Sequence, residues 1–145
     1  MEPSAQAPAT VFGALSYGLP ALLLHFGLVL GLLIVGILVY MAVTPFHERE
    51  LLRSGNTAAA TVLGGALVAL AIPLAALLAT TGPLLDILVW GIVAVVLQLV
   101  TVLIVSLLMR GMRSMIEAGQ LAAAIPLVAA QISIGLLNAA VMVPV

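Results

Sequence analysis

Apolar residues run almost unbroken along this chain, and its few polar positions come in clusters that cut the run into four pieces. A helix crosses the hydrocarbon core of a bilayer in about 20 apolar residues. Four stretches reach that length: residues 20–43, 56–80, 86–109 and 119–143. A further apolar patch at 12–17 reads as a segment lying at the interface ahead of the first span. Short strands of alternating polarity are lacking, so the pattern is not that of a transmembrane β-barrel. The expected fold is all-α, a four-helix transmembrane bundle.

Three short connections join the spans: "TPFHERELLRSG", "TGPLL" and "RGMRSMIEA". Every basic residue lies in the first or the third: Arg49, Arg53, Arg110 and Arg113. Short loops rich in Lys and Arg stay in the cytoplasm. Both arginine loops are therefore expected inside, and the N- and C-termini outside. Residues 1–10, "MEPSAQAPAT", read as a flexible polar tail. They lack the basic start of a signal peptide, so the first span is expected to be retained.

The first arginine loop carries helix punctuation. Thr44 is placed to N-cap a short helix, with Pro45 at its first position. Gly55 suits its end, where a left-handed residue is needed. Asn56 then offers an oxygen to the free N–H groups that open span two, or alternatively a contact for an ion or substrate. A shift of 64 positions brings Gly55 onto Gly119, Asn56 onto Gln120, and the alanines 58–60 onto 122–124. The same shift superposes Arg49 on Arg113 and Gly27 on Gly91. The chain thus reads as two two-helix repeats, 11–80 and 81–145. Two crossings return a chain to its starting side, so the repeats are expected to be parallel.

Helices in lipid are held by close backbone approach and interhelical hydrogen bonds rather than by burying leucine. Small residues recur at four-residue spacing, as in Gly27–Gly31, Ala60–Gly64, Gly65–Ala69, Ala129–Ser133 and Gly135–Ala139. They predict tight packing, particularly of spans two and four near their alanine-rich starts, and a homo-oligomer is a further expectation.

Composition sharpens the class. With 65% hydrophobic and 6% charged residues and a mean hydropathy of +1.40, the chain cannot clothe a soluble domain in polar surface. A net charge of −1 gives no field for nucleic acid. Without cysteine there is no disulfide, no thiolate metal site and no thiol nucleophile. The two histidines, His25 and His47, fall on opposite membrane faces, so no metal site is expected. No catalytic set lies on one side and no phosphate loop occurs. Neither an enzyme nor a cofactor is expected.

Polar residues inside a membrane need a reason. Gln98 and Gln131 each lie roughly 18 Å into their spans at 1.5 Å per residue, near the midplane. There the two carboxamides are expected to pair, as structural glue or as a polar constriction. His25, Asp86 and Asn138 form a second group near the outer face. Asp86 either N-caps span three or pairs with His25 as a proton site. Pro73 and Pro126 each free a main-chain carbonyl and bend their helix. The Arg/Glu loops, with Glu48, Glu50 and Glu117, set topology, or dock a cytoplasmic protein partner or anionic headgroups.

"TPFHERELLRSGNTAAA", "IPLAALL", "DILVWGIVAVVLQ", "IEAGQLAAA" and "GLLNAAVM", in that order, resemble the YjfL-like bacterial inner-membrane proteins, domain of unknown function 350. The resemblance covers about 43–142. It implies a four-span inner-membrane protein built from a duplicated two-helix unit. The matching positions are Thr44, Pro45, Glu48, Arg53, Gly55 and Asn56 in the first loop, then Pro73, Asp86, Trp90 and Gln98. They continue with Glu117, Gly119, Gly135, Asn138 and Ala139. Members of that family often carry cysteine before the last Met; Val141 stands there in this chain.

Two functions are consistent with these residues. One is a non-enzymatic bundle, membrane-organising or stress-related, that acts through its cytoplasmic loops. The other is an oligomeric ion or proton channel lined by Gln98, Gln131, His25, Asp86 and Asn138. A subunit of a larger transporter is a third.

Overall fold

A computed structural model describes residues 11–44, 46–80 and 82–142. Among these residues there are six helices and no strand: α1 Val11–Val43, α2 Glu48–Arg53, α3 Thr57–Ala79, α4 Leu84–Leu108, α5 Met112–Glu117 and α6 Leu121–Met142. The four long helices, α1, α3, α4 and α6, are each long and apolar enough to cross a membrane. They follow the four expected spans to within a few residues, except at the start of α1. The separate interfacial segment expected at 12–17 is instead the beginning of α1, which runs for 33 residues. Pro20 lies inside that helix without ending it. A proline removes one ladder bond, and an otherwise apolar helix absorbs that loss. The tail at 1–10, Pro45 and the last residue of the expected fourth span, Val143, lie outside the described residues.

The second arginine loop contains α5. Gly111, at φ 80°, turns the chain out of α4 and into it. The bounds of α5 stand 64 positions after those of α2. Their endings have the same geometry. Gly55 has φ 78° and Gly119 has φ 77°. The Asn56 N–H donates to Leu51 O and the Gln120 N–H to Met115 O, both at 2.9 Å. The Gly55 N–H donates to Leu52 O at 3.1 Å and the Gly119 N–H to Ile116 O at 2.9 Å. Each pair of bonds is a Schellman ending, which requires a left-handed residue at the turn.

α3 and α6 share the most extensive contact in the bundle. Ala58, Ala59, Val62 and Ala66 of α3 pack with Ala123, Ala124 and Leu127 of α6, capped by Phe46, Met112 and Ile116 from the arginine loops. A second apolar cluster, Val29, Leu74, Leu77 and Ile87, closes the other end. The packing expectation for small residues holds here. A Cβ at Gly65 would stand 2.5 Å from the Val128 methyls. It fails within one chain at Gly27, Gly31 and Gly64, where nothing lies within 4 Å. The outward leucines, valines and isoleucines stay exposed, as lipid-facing side chains do.

Candidate functional site

Proline at position 73 has no N–H to give to the carbonyl one turn back. The carbonyl of Ala69, in α3, thereby loses its helical partner. Gln98, on α4, supplies the missing donor: its Nε2 donates to Ala69 O at 3.2 Å. The same nitrogen donates to the main-chain carbonyl of Gln131, in α6, also at 3.2 Å. One carboxamide thus ties three helices. Gly135 allows α6 to come this close, because a Cβ there would stand 2.6 Å from Ala69 O and 3.1 Å from Gln98 Nε2.

The expected pairing of the two carboxamides is corrected accordingly. Gln98 binds the backbone of Gln131, not its side chain, because the carbonyl freed by Pro73 fixes where Gln98 points. Gln98 Oε1, both polar atoms of the Gln131 side chain and the Tyr40 hydroxyl are buried with no protein hydrogen bond. Exposure is 1% at Tyr40 and Gln98 and 0% at Gln131. The Tyr40 hydroxyl lies against the Gln131 carboxamide, near enough to interact with it but outside hydrogen-bonding geometry.

Towards the arginine loops this polar region ends in a carboxyl group. Glu48 is only 2% exposed. Thr44 Oγ1 contacts both Tyr40 O, at 3.0 Å, and the Glu48 carboxyl. A hydroxyl has one proton to give. It donates to the carbonyl or to the carboxyl, one at a time. Burial pushes the Glu48 pKa above its ordinary value, opposed by the Thr44 contact, Glu48's own backbone and nearby His47. Thr44 therefore does not N-cap the short helix. α2 starts at Glu48 after His47, with no side-chain cap, because the Thr44 hydroxyl is spent on Tyr40 and Glu48.

At the opposite end, His25 does not pair with Asp86. Its Nδ1 lies 2.7 Å from Ala21 O and its Nε2 3.3 Å from Gly82 O. The imidazole is held by carbonyls of its own helix and of the α3–α4 turn. Asp86 does not N-cap α4 either. The helix begins two residues earlier, after Pro83, and the Asp86 N–H donates to Pro83 O at 3.0 Å. Asp86 is an exposed first-turn acid, where the helix dipole favours a negative charge. The structure does bring Asp86 and Asn138 together, on a cavity of about 430 Å³ that Thr80 and Trp90 also line. The Asn138 Nδ2 is buried there without a protein partner.

The arginine loops are joined to each other. Asn56 caps α3 by accepting from the Ala59 N–H at 2.9 Å. Its Nδ2 donates to Ile116 O at 2.9 Å and Glu117 O at 3.0 Å, at the end of α5. The cap was legible in the sequence; the bridge between the loops was not. All four arginines are exposed. Arg113 Nε meets Glu117 Oε1 at 2.8 Å, both side chains largely in solvent, a pair of little energetic weight. Among the described residues, no group of three His, Cys, Asp or Glu could hold a metal ion.

Tyr40 was missed by sequence reasoning. A tyrosine in the last turn of a span reads as an interfacial anchor, and nothing local marks its hydroxyl as buried. The burial of Glu48 was also missed, although its place one turn after Thr44 was a usable signal.

A family model described as Domain of Unknown Function (DUF350) matches residues 14–142. The UPF0719 inner membrane protein YjfL of Escherichia coli K12 is 30% identical over 118 residues, covering 81% of this chain and 89% of that protein. The protein of the same name from E. coli O157:H7 aligns equally well. No solved structure matches the chain significantly.

Proposed function

We propose, from the premise that the chain belongs to the DUF350 family, that this multi-pass inner-membrane protein is a non-enzymatic organiser of its membrane, working through its arginine loops. Its topology is two tandem hairpins, 11–80 and 81–145, entering the membrane the same way, with both termini outside. The identical spacing and endings of α2 and α5 support the repeat. The confinement of arginine to two short loops supports the orientation.

The observation that carries this reading is the Asn56 bridge. It fastens the first arginine loop to the second and makes one plate of what would be two independent turns. Four exposed guanidinium groups then share one rigid surface at the headgroup level. Each contributes on the order of 1 kcal/mol of attraction to an anionic leaflet. A crevice of about 310 Å³ beside Arg113, walled by Val43, Val102, Leu103 and Leu107, suits an acyl chain whose headgroup meets the arginine. The plate gathers anionic lipid around the bundle. Self-association through the open Gly27–Gly31 face of α1 belongs to the same reading, and a native mass of one chain would refute that part.

Native mass spectrometry of protein released from bilayers of mixed anionic and zwitterionic lipid tests the main claim. Wild type should retain anionic lipid preferentially. A variant with Arg49, Arg53, Arg110 and Arg113 all changed to Gln should lose the preference. Equal retention of both lipids by wild type would refute the proposal, and loop-dependent cross-linking to one cytoplasmic protein would replace it with a docking role.

A further inference from the structure

An arginine plate does not require polar groups inside the bundle, yet five residues place them there. Tyr40 Oη, Gln98 Oε1, Ser106 Oγ, Gln131 Oε1 and Nε2, and Asn138 Nδ2 are all buried without a protein hydrogen bond. In hydrocarbon each such atom costs of order 1–3 kcal/mol. Side chains that serve only as glue would satisfy one another. A small rotation that joined Tyr40 to Gln131 would satisfy two of the six atoms and leave four.

The unpartnered atoms of Tyr40, Gln98, Gln131 and Asn138 follow one another along the bundle, while Ser106 lies apart, in the wall of the crevice beside Arg113. Gln131, Gly135 and Asn138 occupy one face of α6 at i, i+4 and i+7. The amide of Gln98 lies against Gly135 between them. Tyr40 extends the row towards Glu48. A crevice that bears a carboxyl group lies beyond each end of the row. On the arginine side a crevice of about 340 Å³ is lined by Glu48 with His47, Arg49 and Glu50. At the other end Asp86 and Asn138 line the cavity of about 430 Å³, together with Gly82, whose carbonyl meets His25. Water enters a buried site when two to four polar atoms are there to hold it.

We propose that Tyr40, Gln98, Gln131 and Asn138 line an internal file of water that passes protons through the bundle between Glu48 and Asp86. The carboxyl of Glu48 gives its proton to the first water and regains one from its crevice. At each hop one O–H bond forms on the receiving water and another breaks on its far side. The last water protonates the Asp86 carboxylate, which releases the proton to bulk. No electrons move. The carboxamides stay neutral and orient the water, and the Tyr40 hydroxyl accepts and donates within the file. The narrowest point is the Gln98 bridge to Ala69 O and Gln131 O, where Gly135 contributes no side chain.

The test uses the full chain in liposomes loaded with a pH-sensitive dye, with proton entry driven by a valinomycin-clamped potassium potential. Wild type should acidify the lumen at least tenfold faster than protein-free vesicles. Gln131→Leu and Glu48→Gln should each slow it tenfold or more, and Tyr40→Phe several-fold. Ser133→Ala, on the exposed face of α6, should match wild type. Thermal midpoints report folding. Gln131→Leu removes two unpartnered atoms and should not lower its midpoint; if it fails to fold, Glu48→Gln is read alone. Wild-type flux equal to that of empty vesicles, or undiminished flux in a folded Glu48→Gln variant, would overturn the proposal. A variant with only Arg53, Arg110 and Arg113 changed to Gln, which spares Arg49 in the Glu48 crevice, should conduct normally while losing anionic-lipid preference, so failure of this inference and failure of the lipid-gathering role are separable.

Discussion

Gly135→Ala should be among the most damaging single-methyl additions in this protein. The added Cβ would stand 2.6 Å from Ala69 O, where ordinary contact begins at about 3.4 Å. About 0.8 Å must therefore be opened between α6 and α3. The obstacle is a main-chain carbonyl, which has no rotamer into which to retreat. Such overpacking costs about 1–3 kcal/mol. The new methyl also sits 3.1 Å from Gln98 Nε2, and displacing that donor forfeits a bridge worth roughly 1–2 kcal/mol in a membrane. Together these give about 2–5 kcal/mol, or roughly 4–20 °C in thermal midpoint for a chain of this size. Midpoints in detergent, followed by circular dichroism, are the assay. Gly64→Ala is the control, since nothing lies within 4 Å of that position. Adding Gln98→Ala should restore little, because the main collision is with Ala69 O. A Gly135→Ala midpoint within about 1 °C of wild type would refute both the contact and its role in seating Gln98.

Gly65→Ala should also destabilise, by about 1–3 kcal/mol, but here the obstacle is the side chain of Val128, so Val128→Ala in the same chain should recover most of the loss in midpoint. Asn56→Ala should cost about 2–4 kcal/mol by removing a helix cap and two loop-to-loop hydrogen bonds, whereas Asn56→Asp, which keeps the capping oxygen and loses the donors, should show how much of that is the bridge. Glu48 favours its protonated form in the fold, so stability should be greatest at acidic pH and fall as pH rises from the ordinary value of 4.5 through the raised one. Glu48→Gln should flatten that slope and match or exceed wild type at pH 8, as read from midpoints measured across the range.

The spans were legible because the hydrocarbon imposes a length that few soluble sequences imitate. The turn at Gly55–Asn56 was legible because a left-handed residue followed by a capping amide is a local requirement. The same local chemistry at Gly119 announced the second turn. What the sequence hid was relational. That Pro73 frees a carbonyl is visible in the residue alone; that Gln98, on the next helix, answers it depends on how α3 and α4 face each other. Tyr40 and Glu48 are of types usually found wet at a membrane surface, and only packing against Thr44 and α6 encloses them. His25 and Asp86, close in depth by residue counting, are kept apart because the Gly82 carbonyl takes the imidazole.

The Asn56 clasp runs one way. Asn56 gives two hydrogens to the carbonyls that close α5, whereas Gln120, at the corresponding place 64 residues later, stays at the surface. A molecule that looks like the same motif written twice thus has a giver and a receiver. Exchanging the order of its halves would not reproduce it, and any later drift in the two copies is free in one and constrained in the other.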